Sequence, residues 1–156
     1  MALNDFIIDP KDAQRILFGA SGKLGPVEFA QGLVVIVAVN IAFNILSLLP
    51  GLGVLFAVVG IIVALVSIFC WVSIFSKRFH DAGQSGWMTL AAILAAIVLS
   101  VVIGMILRPV FGVSVSMQSD MMAAYTANAV LANILTNIIV NGLLGFYMYR
   151  LKPAAG

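Results

Sequence analysis

The chain has 156 residues, of which 63% are hydrophobic and 9% charged, with a formal net charge of +2. A soluble domain is roughly 45–50% apolar and about 25% charged, so a water-bathed fold is excluded: too little polar surface exists to cover one. The small, scattered positive charge leaves no footprint for nucleic acid, and the expected solvent is lipid.

In chain order, the first feature is Asp9-Pro10, an N-cap followed by proline at the first helical position. The following KDAQRILF sets Ala13, Ile16 and Leu17 on one side and Lys11, Asp12 and Arg15 largely on the other. This predicts a short N-terminal interfacial helix, with a frayed tail as the alternative. No secretory signal is expected, because Asp5, Asp9 and Asp12 interrupt the early residues. Gly19-Ala20-Ser21-Gly22-Lys23-Leu24 mimics a phosphate loop, but the glycine spacing is wrong, Leu24 replaces Ser or Thr, and no strand precedes it.

Four apolar stretches follow, each long enough for the roughly 20 helical residues that cross a bilayer: 27–49, 54–75, 87–107 and 129–149. They do not alternate polar with apolar, so helices are expected and not barrel strands. The predicted fold is an all-α integral membrane protein, a single domain over residues 1–156 built as a four-transmembrane-helix bundle. Pro50-Gly51-Leu52-Gly53 predicts a tight hairpin between the first two spans. Cys70, the lone cysteine, has no internal disulfide partner and reads as a packing residue. Arg108-Pro109 closes the third span. The mixed stretch before the fourth predicts an amphipathic segment over 114–128 on the outer side, with Ser119 or Asp120 capping a helix that continues into the span.

Seven of the eight cations (Lys11, Arg15, Lys23, Lys77, Arg78, Arg150 and Lys152) fall on one side, and Arg108 on the other. Lysine and arginine are retained in the cytoplasm, so both termini are expected to be cytoplasmic. Trp71, Phe75, Trp87, Tyr147 and Tyr149 are expected at headgroup level on that side.

Polar residues at depth need partners. Asn133, Asn137 and Asn141 recur every fourth residue and share a helix face with Gly145; Asn40, Asn44 and Ser47 share another. At about 1.5 Å rise per residue, Asn44 and Asn40 lie about 7 and 13 Å from the outer end of span one, and Asn133 and Asn137 about 6 and 12 Å from that of span four. Spans one and four are therefore expected to pack together with these amides hydrogen-bonded, as interhelical glue or as a polar pathway for a small solute. Ser67, Cys70 and Ser73 could extend either version.

KRFHDAGQSGW, residues 77–87, holds the only histidine. As chemistry, His80 would be a general base beside Asp81, with Lys77 or Arg78 in support; no metal-ligand pattern accompanies it. The structural reading accounts for more residues. Gly83 and Gly86 supply freedom for a reversal, Ser85 caps, Trp87 anchors, and Lys77 and Arg78 suit a helix C-terminus. Glu28, a charge at the membrane border, needs a partner. A cytoplasmic latch of Glu28, Lys77, Arg78, His80 and Asp81 is expected, with Glu28 touching the 77–81 turn.

FGASGKLGPVEF (18–29) resembles an opening of the form F-x-G-R-x-x-R-x-E-F-W, with Lys23 for arginine, Pro26 for a basic residue and Ala30 for tryptophan. KRFHDAGQSGW resembles the signature R-R-L-H-D-x-G-x-S-G-W-W, with His80, Asp81, Gly83, Ser85, Gly86 and Trp87 in place. Together they resemble the domain-of-unknown-function 805 family of small bacterial inner-membrane proteins. The resemblance implies a multi-pass inner-membrane protein with a cytoplasmic signature turn, and no activity. The expected function is non-enzymatic and needs no cofactor: a structural or accessory subunit in the lipid bilayer, packing against itself as a homo-oligomer or against a larger membrane complex. The alternative is a small-solute transporter or channel component with an asparagine-lined interior. A transporter should show a water-filled cavity reaching Asn137; an enzyme should show His80 in an open cleft within reach of Asp81 or Glu28.

Overall fold

The computed structural model describes residues 8–19, 21–49, 53–113 and 126–154, and every regular element among them is helical. Helix α1 (Pro10–Ala13) runs directly into a π-helical turn, Gln14–Phe18. The long helices are α2 (Pro26–Leu46), α3 (Gly53–Asp81), α4 (Trp87–Val110) and α5 (Ala127–Arg150). All four contain a stretch apolar and long enough to cross a membrane. They form a ring in which α2 packs on α3 and α5, α4 packs on α5, and α3 meets α4 more sparingly. Both described chain ends lie at one face with the α3–α4 reversal; the opposite face carries Arg108.

Local chemistry sets the helix ends. Asp9 caps α1 by accepting from Lys11 N–H at 2.9 Å. Glu28 in the first turn of α2 accepts from Gly25 N–H at 3.2 Å. Thr126 caps α5, accepting from Ala129 N–H at 3.3 Å, so the cap is not Ser119 or Asp120. Those two residues and most of the expected amphipathic segment lie outside the described residues, as does the Pro50–Leu52 hairpin.

The second span is longer than its apolar run. At about 1.5 Å per residue, the 29 residues of α3 reach about 43 Å, past a hydrocarbon core of about 30 Å. Lys77–Asp81 are therefore the last turn of α3 and not a loop, and the reversal itself occupies 82–86. A Schellman motif ends the helix: Gln84 N–H donates to Phe79 O at 2.8 Å, and Gly83 N–H to His80 O at 3.1 Å. Gly83 takes φ 69°, the left-handed region that suits glycine.

The main apolar core lies in the termini half, where Ile16, Leu17, Leu24, Phe29, Leu33, Ile74, Phe75, Phe79 and Met148 are buried. Phe29 meets Phe75 edge-on at 5.1 Å, and Trp71 stacks on Phe75 at 3.7 Å. Two glycines permit this density. A Cβ at Gly32 would come within 3.0 Å of Ile16 and 3.3 Å of Ile74, and one at Gly145 would collide with Leu33. Gly145 on the asparagine face of α5 is thus where α2 approaches closest.

Candidate functional site

Lys77 and Arg78 are fully buried, at 2% and 0% exposure. A buried cation requires acceptors on all sides, and each of these finds them at the C-terminus of another helix. Lys77 Nζ donates to Arg15 O at 2.8 Å and Ile16 O at 2.6 Å, at the end of the π-helical turn. Ser73 Oγ adds a bond to Gly19 O at 2.6 Å. Arg78 Nε donates to Met148 O at 3.1 Å, Nη2 to Leu151 O, and Nη1 to Asp81. Helix C-termini carry unpaired carbonyls and the negative end of the dipole. Two neighbouring side chains of α3 thus hold both ends of the chain, one each. Ala154 N–H donating to Asp81 O at 2.8 Å fastens the C-terminal strand of this clasp.

Two members of the expected latch, Glu28 and His80, stand apart from it. The Glu28 carboxylate does not hydrogen-bond to the 77–81 segment. It accepts from Arg15 Nη2 at 2.5 Å and from Gly25 N–H, and reaches α3 only through Arg15, whose carbonyl holds Lys77. The reason is competition: Lys77 is already seated on carbonyls, and Arg15 is the cation left free to turn outward. The bond to Glu28, together with its charge, pushes the Arg15 guanidinium further above its ordinary range.

In the rest of the signature, His80 is exposed, with its ring against Gly86. Asp81 is engaged by Arg78 and is not turned to His80. Ser85 Oγ accepts from Trp87 N–H at 3.4 Å, at the start of α4. Trp87 is 75% exposed, as an interfacial anchor would be.

The asparagines are arranged differently from expectation. α2 does pack on α5, but no amide pair bridges them. Asn40 Nδ2 donates to Ile36 O of its own helix at 2.8 Å and to Ser67 Oγ of α3 at 3.2 Å. Asn44 donates to Asn40 O at 2.8 Å. Asn141 donates to Asn137 O at 3.0 Å and accepts from Trp71 Nε1 at 3.0 Å. A carbonyl four residues back lies within reach of a helical asparagine, and Asn40, Asn44 and Asn141 each use it, while their contacts across helices go to α3. Trp71, expected at the headgroups, instead points into the bundle.

These polar groups line space. A cavity of about 370 Å³ lies between all four long helices, with Asn40, Ser67, Trp71, Ser100, Asn137 and Asn141 in its wall. A second, of about 410 Å³, continues toward the opposite face along α4 and α5, lined by Ser100, Gly104, Arg108, Asn133, Thr136 and Asn137. Ser100 and Asn137 belong to both. Toward the termini face, Trp71 in the wall of the first space stacks on buried Phe75. Sequence reasoning did not single out Trp71, Ser100, Thr136 or Arg108 for this interior. Ser100 is the one polar residue in the middle of α4, and that signal could have found it.

The chain matches the model of a family described as "Protein of unknown function (DUF805)" over residues 17–121. No curated protein and no solved structure matches it.

Proposed function

The chain belongs to the DUF805 family, and from that premise and its polar interior we propose a non-enzymatic multi-pass membrane protein that takes up a small polar solute between its helices. The cavity shared by all four long helices carries this reading. Amides that serve only as glue pack against each other, since protein interiors leave few voids larger than a water molecule. Here Asn40, Asn137 and Asn141 face a space of about 370 Å³, within the range of small-ligand sites. The two spaces share Ser100 and Asn137, and the one that reaches Arg108 would be the entry. The cation asymmetry supports the bacterial inner membrane with both termini cytoplasmic, so that entry faces outward. Neither Asp81 nor Glu28 is free to assist His80, which favours a non-enzymatic role.

The test is water access. In a Cys70→Ala background, Ser100→Cys should react with a charged methanethiosulfonate reagent, because only a thiolate reacts and a thiolate needs water. Val98→Cys, on the exposed apolar side of α4, should be slower by on the order of tenfold or more. Equal inertness of the two would remove the reading.

A second reading, an accessory subunit or homo-oligomer, is favoured by α4. Only Thr89 and Ala92 of this helix are buried, which leaves most of its apolar surface uncovered by the described residues. A particle mass of one chain in mild detergent would count against it.

A further inference from the structure

We propose that the outer cavity is an oxyanion site, with Arg108 and the amides of Asn133 and Asn137 as its donors and a phosphate group as its occupant. This rests on the solute-binding reading above and names the chemistry at its entrance.

The wall of this cavity is rich in donors. Arg108 lines it from the last turn of α4, with Asn133, Thr136 and Asn137 facing it from α5. Asn137 Oδ1 accepts from Asn141 at 3.3 Å, which leaves its NH₂ uncommitted. Asn133 makes no hydrogen bond among the described residues. Thr136 commits its proton to Ala132 O at 2.8 Å and adds none. Among the described residues, no carboxylate lines the cavity. A guanidinium and two side-chain amides line the same space, and such donors need acceptors. Oxyanions supply several at once, and arginine binds phosphate with two parallel bonds.

The structural explanation for Arg108 would be capping of α4, and the backbone has already done that. A second Schellman motif ends the helix: Val113 N–H donates to Arg108 O at 2.9 Å and Gly112 N–H to Pro109 O at 2.9 Å, with Gly112 at φ 69°. Leu107 O is taken by Phe111 N–H at 3.1 Å. The guanidinium is left for the cavity. Gly104, one turn earlier on the same helix, has nothing within 4 Å of where a Cβ would stand, so the approach is open.

The phosphate could arrive as free inorganic phosphate or as a lipid headgroup. One experiment separates the sources and separates this inference from the reading beneath it. Ser100→Cys in the Cys70→Ala background is reconstituted in nanodiscs of a galactolipid, which has no phosphate, and labelled with an anionic methanethiosulfonate. Inorganic phosphate, against chloride at matched ionic strength, should slow labelling by 1 + [L]/Kd, roughly tenfold at ten times the dissociation constant. Slowing only when phosphatidylglycerol replaces the galactolipid would assign the site to a headgroup. Either slowing should vanish in Arg108→Gln and persist in Lys152→Gln, at the other face. As a check on the unmodified chain, its thermal midpoint should rise with the effective phosphate source, and that of Arg108→Gln should not. If Ser100→Cys labels but neither source slows it, or Arg108→Gln is slowed equally, the oxyanion site is wrong and the solute cavity stands. If Ser100→Cys does not label at all, both fall.

Discussion

At the termini face, two buried cations sit on four backbone carbonyls, and large apolar side chains fill the space around them. Toward the other face, Arg108 is exposed, the amides of α5 line open volume, and burial falls mainly to small residues such as Ala129 and Ala132. The same ring of helices is thus solid at one end and hollow at the other. The difference lies in what the polar groups meet. Lys77 and Arg78 each find a helix C-terminus whose carbonyls were unpaired, so their charge is satisfied without water. Asn137 only accepts, from Asn141, and Asn133 makes no hydrogen bond among the described residues, so both keep donors to spare. A region whose polar groups are satisfied internally holds structure; one with unspent donors is where a ligand can be recognised.

This contrast can be broken by substitution. The largest effect is expected for Arg78→Met. It strands the Met148 and Leu151 carbonyls and the Asp81 carboxylate, at about 3–5 kcal/mol by analogy with removing one partner of a buried pair. Unfolding titrations in detergent would measure it, and Arg78→Lys should recover only part, since one ammonium cannot reproduce the fork. Next is Lys77→Met, which leaves Arg15 O and Ile16 O bare at about 1.5–3 kcal/mol. Its specific mark is earlier tryptic cleavage after Lys11 and Arg15, because the N-terminal segment loses its tether. The smallest is Asn141→Leu in the hollow part, about 0.6 kcal/mol, the average for intramembrane hydrogen bonds. If Asn141→Leu proved the most damaging of the three, the division into a solid and a hollow end would be wrong.

Run length made the four spans legible, since 20 apolar residues have few other uses. Periodicity made the asparagine face of α5 legible, and the cation count placed both chain ends together. Partner choice was not legible. Which face of α3 meets α5 depends on tertiary packing, so nothing in the sequence showed Trp71 Nε1 turned toward Asn141. The pairing of Glu28 with Arg15 was hidden for a different reason. Residues 14–18 form a π-helical turn, wider than the 3.6-residue period from which their faces were read. Lys77 and Arg78 were legible as the end of α3 from their charge, but their buried acceptors were not, since those lie more than 60 residues away along the chain.

The seat of Arg78 on Met148 and Leu151 bears on biogenesis. The guanidinium enters the membrane border about 70 residues before its acceptors are synthesised. Until the last helix arrives, the guanidinium has Asp81 of its own helix but lacks the Met148 and Leu151 carbonyls, so arrival of α5 is what completes its seat.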